Sequence, residues 1–437
     1  MRRSPLLPIF LIVLVDVLGL TIVLPLLAIY SESFGASAQV ASLLLPTYAA
    51  CQLVAGPILG KLSDRYGRRR ILLVSQLGTL AGFIMLAEAH ALWMVFAGRV
   101  LDGLTAGNLT VAQAYIADHT PPERRARSFA LIGIAFGLGF LVGPAISALL
   151  SHWHGYDAPF WAAAAMSLTS IMGTIFLLPA DRPGEALPEA RALEPMGRRL
   201  SVLDWRTYLA YFRRPALGAL LWQFFIYMFA FSLFTGGFAL FAERHLTWGQ
   251  GVMLVAGLPY WGTMPFTVRE IGFTFAYVGL IGAVVQGGMI GRLVKQYGER
   301  GLMLGGFVSL GVGYVALSAV GGVGVLAIAA TLAAVGTAVL RPSITALVTH
   351  HAGKHEQGAV LGMTQSLSSV ASIAAPPLAG FLIEHDHGRT WAIIAGAVAL
   401  LGAVLALRTR HTPVPSEDGA DGAGSGRQRA DERGERA

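Results

Sequence analysis

Charge is scarce in this sequence and cysteine is nearly absent. Charged residues fill 13% of its 437 positions, about half the ~25% typical of a soluble globular domain. A soluble chain of this length would divide into about three domains of ~150 residues. With 54% of the residues apolar, so few charges cannot cover the surfaces that three domains would present to water. That organisation is excluded. The single cysteine, Cys51, excludes an intrachain disulfide and reads as a small apolar residue inside a hydrophobic run. The net charge of +7 does not point to nucleic acid, because the positions of the basic residues carry a different message.

Long apolar runs are what the chain has in abundance, and the mean hydropathy is +0.61. A membrane-spanning helix needs ~20 mostly apolar residues. Such runs lie near 6–30, 37–59, 71–90, 92–116, 129–150, 159–179, 215–241, 271–290, 302–320, 322–348, 358–383 and 389–407. Of the 32 Lys and Arg, 27 then fall before the first run, in alternate connections, or after the last. Only Arg244, Arg269 and Arg389 lie in the opposite connections, with Arg99 and Arg341 inside runs. This asymmetry follows the positive-inside rule and predicts cytoplasmic termini and an even number of spans. Arg2 and Arg3 followed by an apolar run resemble a signal peptide. The run is too long for an h-region, however, contains Asp16 and lacks a small-residue cleavage site, so it reads as the first helix. The expected fold is an all-α membrane protein of twelve transmembrane helices.

The hydrophobic pattern breaks once. Residues 181–214 carry seven Arg and several Pro and read as a cytoplasmic linker between a six-helix bundle at 1–180 and another at 215–408. The tail 409–437 is rich in Gly, Ala and charge, and is expected to be disordered. The halves repeat weakly. Gly60 and Gly67 in GKLSDRYGRRR are answered by Gly291 and Gly298 in GRLVKQYGER, 231 positions on, and Gly143-Pro144 by Ala375-Pro376, 232 positions on. Two related halves would place a site near the bilayer midplane between them.

Ionisable residues inside the runs are the candidates for chemistry. Asp16 sits in the middle of the first run, where a charge costs at least ~2.5–3.5 kcal/mol. It reads either as a proton-exchanging carboxyl or as a structural partner for an arginine. In the fourth run, a continuous helix would place Arg99, Asp102, Ala106, Thr110 and Gln113 on one stripe, with Asn108 and Tyr115 facing the other way. Arg99 and Asp102 are spaced to pair, as a releasable or a static ion pair. Gly60, Asp64, Arg65, Gly67 and Arg68 form a tight, charged turn between the second and third helices. In the fifth run, Gly133, Gly137, Gly139 and Gly143 allow close packing and Pro144 predicts a bend, a reading balanced between simple packing and gating. Gln223, Gln286 and Gln365 are candidate cavity polars. Trp222, Phe225 and Tyr227 read as an aromatic pocket or as core and lipid-facing residues, and Arg341 as a cavity cation or one that snorkels. Residues 244–269 form a long outer connection whose Trp248, Tyr260 and Trp261 suit a segment lying on the outer surface. His152, His154, His385 and His387 are better explained by solvated loops than by a metal, so no metal site is expected.

These segments together resemble the major facilitator superfamily, in its drug:proton antiporter branch near the tetracycline-efflux proteins. The turn GKLSDRYGRRR matches the superfamily loop signature, Arg99 matches the basic position of the fourth-helix motif, and GNLTVAQAYIAD at 107–118 is similar to the tetracycline-efflux branch. Asp16, Gly19 and Pro25 match its first-helix pattern. GFLVGPAISA at 139–148 matches the antiporter motif in part, with Ala130 in place of its first glycine and Ser147-Ala148 in place of its final pair. The resemblance implies alternating access by two rocking bundles in the bacterial inner membrane. It further implies that the first-helix acid couples protons and that Asp64 helps to latch the outward-facing state across the interface between halves. Tetracycline exporters carry another acid in the ninth helix, whereas 302–320 contain none, so tetracycline itself is not carried over. The expected activity is proton-coupled efflux of an amphipathic small molecule by a monomer, with protons and lipid as its other partners and no organic cofactor. A carrier of a sugar, metabolite or lipid on the same fold is the alternative. An enzyme would need a nucleophile–base or metal cluster at a membrane face, which the sequence does not offer.

Overall fold

The computed structural model describes residues 6–119, 122–178, 205–255, 258–320, 322–352 and 356–408. Most of the expected linker and the whole tail therefore lie outside the described residues. The first half comprises α1 (Leu6–Val23), α2 (Leu27–Glu32), α3 (Ala38–Ala41), α4 (Leu44–Tyr66), α5 (Arg68–Ala87), α6 (Leu92–Leu104), α7 (Asn108–His119), α8 (Pro122–His154) and α9 (Ala158–Leu177). After α10 (Trp205–Phe212) the second half comprises α11 (Pro215–His245), β1 (Thr247–Val255), β2 (Leu258–Pro265), α12 (Val268–Val284), α13 (Ile290–Leu317), α14 (Val323–His351), α15 (Gln357–Glu384) and α16 (Gly388–Arg408).

Three expected boundaries differ for identifiable reasons. Proline disfavours helix at the preceding residue, so the first run stops at Val23, two residues before Pro25, and resumes as α2. The eighth and ninth runs are continuous, since α12 passes through a π turn at Val285–Met289 into α13. The single break there is Gly298, at φ 68 and ψ 164. Finally, the 244–269 connection contains a two-stranded antiparallel ribbon, with Gly251 opposite Gly262 and Val255 opposite Leu258. The described residues are thus not wholly helical. β-branched and aromatic residues along TWGQGVMLV and LPYWGTMP suit strands.

The repeat seen in the sequence has a backbone counterpart. Gly67, between α4 and α5, has φ 98, and Gly298, 231 positions later, also has positive φ. Only glycine enters this region readily, so the two turns are built the same way. Within the first half α1 packs on α8 and α9, and α5 on α6 and α9. Within the second, α13 packs on α14 and α16, and α11 on α15 and α16. The core of the second half is aromatic: Phe234 stacks on Tyr314 at 4.6 Å, and the buried Trp391 donates from Nε1 to Leu233 O at 2.9 Å.

The halves are joined chiefly by α8 with α12 and by α3–α4 with α15, with a smaller contact of α2 on α11. Close points between them run from one end of the molecule to about its middle, where a Cβ at Gly279 would stand 2.6 Å from Phe140 C. A Cβ at Gly272 would stand 2.7 Å from both Ala148 Cβ and Pro144 O, and one at Gly380 would stand 2.8 Å from Ala38 O. Gln39 N donates to Glu384 at 3.2 Å, and Arg244 pairs with Glu32 at 2.8 Å. Toward the other end the helices part. Cβ positions at Gly133 and Gly137 on α8, at Gly287 and Gly291 beyond α12, and at Gly362 on α15 meet nothing within 4 Å.

Candidate functional site

The ionisable residues of the first half converge. Arg99 and Asp102, both on α6, form an ion pair at 3.1 Å with side chains 2% and 5% exposed. Three residues apart, they share a helix face. The guanidinium also lies over the Tyr48 ring from α4, 4.6 Å from its centroid, and Thr79 of α5 stands in hydrogen-bonding reach of Asp102. Asp16 of α1 points into the same bundle, with both carboxylate oxygens buried, Ser170 of α9 in hydrogen-bonding reach and Asp102 close enough to act on it electrostatically. Buried Gln76 of α5 closes the arrangement by donating to Ser170 at 2.7 Å. Sequence reasoning singled out Asp16, Arg99 and Asp102, and the structure brings them together. It missed Tyr48, Thr79, Gln76 and Ser170. Gln76, an amide in the middle of an apolar run, was the one legible signal among these.

The stripe expected on the fourth helix does not survive, because that helix is interrupted. Residues 105–107 separate α6 from α7, and Ser75 of α5 fills the gap. Its hydroxyl donates to Thr105 O and accepts from Gly107 N at 2.8 Å. The break shifts the helical phase: Thr110 and Gln113 become exposed and Tyr115 buried. Thr110 lies along the α4 glycines, 3.6 Å from a Cβ position at Gly60.

The charged turn closes on its own half. Arg68 pairs with Asp64 at 2.5 Å and with Asp118 of α7 at 2.8 Å, and donates to Ser63 at 2.6 Å. Arg65 lies over the neighbouring Tyr66 ring, and Gly67 supplies the positive φ. In the second half, at the corresponding 231–232 offset, Glu299 faces His350 at 3.4 Å.

Gly139 and Gly143 let α8 seat against α1. A Cβ at either would strike Val17 or Thr21, and Thr21 Oγ1 donates to Gly139 O at 2.9 Å. Pro144 lies within a continuous α8, and its turn is the surface that meets α12. Of the expected cavity residues in the second half, Gln223 and Tyr227 are buried in its core, and Trp222 is exposed on another face of α11, against Phe212 and Phe225. These three do not form one pocket. Gln286, Arg341 and Gln365 are exposed, and Arg341 reaches across the halves to lie 5.5 Å from the centroid of Phe136. No group of three or more His, Cys, Asp or Glu that could hold a metal occurs among the described residues.

Two related helical halves, ionisable groups buried inside one of them, and an interface closed at one end only describe a secondary transporter. Residues 9–268 and 252–433 match the sequence model of the Major Facilitator Superfamily, and the chain belongs to that family. It is 31% identical over 404 residues to the class C tetracycline resistance protein of Escherichia coli, covering 91% of this chain and 94% of the relative. It is 22% identical to the quinolone resistance protein NorA of Staphylococcus aureus (strain MRSA252), covering 89% and 92%. Among solved structures, the human organic anion transporter MFSD10 superposes with a TM-score of 0.68 at 22% identity, covering 92% and 99%. An auto-inhibited POT family peptide transporter does so at 0.69 and 14%, covering 94% and 98%.

Proposed function

We propose that this protein is a proton-coupled exporter of an amphipathic small molecule in the bacterial inner membrane, that it works by alternating access, and that the arrangement described here is its inward-facing form. The observation that carries the reading is the buried set Asp16, Asp102 and Arg99. An internal charge costs at least ~2.5–3.5 kcal/mol at the bilayer centre, and of the two carboxylates here Asp102 pairs with the guanidinium while both Asp16 oxygens are buried without a hydrogen-bond partner among the described residues. Binding and release of a proton is the use that repays keeping the unpaired carboxylate there. Voltage alone supplies ~2.3 kcal/mol per charge at 100 mV, enough for roughly a 50-fold gradient of a neutral substrate.

Twelve spans fit the helices described. Among the described residues, nine stretches are long and apolar enough to cross a membrane. The first run, the broken α6–α7 pair and the second arm of 268–317 supply three more. That last stretch of 50 residues would extend ~75 Å as one helix, far beyond a ~30 Å core, so Gly298 divides it. With the basic connections on the cytoplasmic side, the end where the halves interlock is the outer one. The open inner end then presents Thr110, Gln113, Gln286, Arg341 and Gln365 as cavity residues, with Gly60, Asp64, Arg65, Gly67 and Arg68 at its cytoplasmic rim as the conformational latch. The protein is read as a monomer that uses protons and no cofactor.

The test is a substrate panel on everted vesicles with a pH-sensitive dye, with tetracyclines and quinolones first because the relatives carry those names. At least one compound should discharge the gradient with the native protein and fail to do so with Asp16→Asn. Discharge that is indifferent to Asp16→Asn would defeat proton coupling through this residue.

A further inference from the structure

The outer junction contains a charge arrangement that packing alone does not require. Glu32 ends α2 in the first half. Glu243 and Arg244 lie in the last turn of α11 in the second. Arg244 pairs with Glu32 across the interface at 2.8 Å and donates to Ile383 O of α15 at 3.4 Å. The Glu243 side chain lies beside the same Glu32 carboxylate, and its buried Oε2 has no hydrogen-bond partner among the described residues. A buried, unpartnered carboxylate oxygen next to a second carboxylate gains a donor when one of the two carries a proton. The negative end of a helix dipole also disfavours an anion at the last turn of α11. Other titratable groups face the same junction. Tyr156, before α9, is held above its ordinary value first by burial and then by the Glu243 charge and stays neutral. His245 stacks on Phe241, and Glu384 is engaged with Gln39 N.

We infer that Glu32 and Glu243 share a proton that locks the outer interface, making this a second proton site distinct from Asp16. With the proton in place, Glu32 feels the attraction of Arg244 unopposed, and the halves are held together at the outer end. When the proton leaves, the Glu32–Glu243 repulsion opposes the Glu32–Arg244 attraction, and separating the halves relieves it. The closed form thus binds a proton that the open form releases. Low outer pH favours closure, and closure is lost as pH rises. The inference rests on the alternating-access reading and adds that outside protons close the outer side themselves.

Spin labels on Trp153→Cys and Thr390→Cys, both at exposed outer positions on opposite halves, report the opening in a Cys51→Ser background in lipid nanodiscs. The ratio of short to long distances should fall by up to tenfold per pH unit through the titration, as one differential proton requires. Glu243→Gln should hold the short distance at every pH, and Glu32→Gln should remove the pH dependence while favouring the long distance. Asp16→Asn should retain the native pH response, which separates this latch from coupling at Asp16 whatever the vesicle assay returns. A native distance distribution indifferent to pH overturns the inference, and so does an unchanged pH response in Glu243→Gln. Should Glu243→Gln fail to fold, Glu32→Gln alone decides between the same outcomes.

Discussion

The close contact of α12 with α8, midway along α8, allows the interface between the halves to be attacked at a single atom. A Cβ added at Gly279 would stand 2.6 Å from Phe140 C and 2.7 Å from Leu141 N. These are backbone atoms that no rotamer change can withdraw. Overpacking of this kind costs typically ~1–3 kcal/mol. The residue is helical, so the cost falls on the inter-half contact and not on local conformation. It should vanish when the outer end opens. Every ~1.4 kcal/mol is tenfold in an equilibrium, so Gly279→Ala should shift the balance toward the outward-open form by roughly 5- to 150-fold. The same change at Gly272, where Ala148 Cβ and Pro144 O stand 2.7 Å away, should act in the same direction. Spin-label distances across the outer end, or labelling of an outer cysteine, would read the shift. A Gly279→Ala protein that is thermally destabilised while its outer distance stays short would refute the claim that this contact belongs to only one of two states.

Breaking the buried pair with Arg99→Leu should cost ~3–5 kcal/mol by leaving Asp102 uncompensated. The double variant Arg99→Leu/Asp102→Leu should cost less than Arg99→Leu alone, a comparison made by thermal unfolding in detergent. Gly298→Val should destabilise by ~1–3 kcal/mol because φ 68 with ψ 164 lies in a region essentially restricted to glycine, and Gly298→Ala by a similar amount, since a Cβ there meets no neighbour within 4 Å. A Gly298→Ala protein as stable as the native one would place the cause of the Gly298→Val loss in packing. Trp391→Phe removes the donor to buried Leu233 O and should cost ~1–3 kcal/mol, whereas Trp222→Phe, on an exposed side chain, should change the melting temperature little.

The membrane character of the chain, its apolar runs and the alternation of basic connections were legible in the sequence alone. Each depends on quantities summed over a local window, and hydrophobic length and charge do not need to know their neighbours in space. Gly67 and Gly298 were legible as a repeat because a positive φ restricts a position to glycine whatever packs on it. Asp16, Arg99 and Asp102 stood out as candidates for a similar reason, since a charge in oil is costly wherever it points. Their partners were not visible. Tyr48, Gln76 and Ser170 come from three other helices, and ordinary polar residues become a site only when packing turns them to one point. The break between α6 and α7, which moved Thr110 and Gln113 off the expected stripe, is sustained by Ser75 of a neighbouring helix, so helical phase in that span was a tertiary decision. The burial of Gln223 and Tyr227 away from the exposed Trp222 was another. So was the outer junction: nothing in the spacing of Glu32 and Glu243, more than 200 residues apart, brings two carboxylates to one arginine until the two halves close on each other.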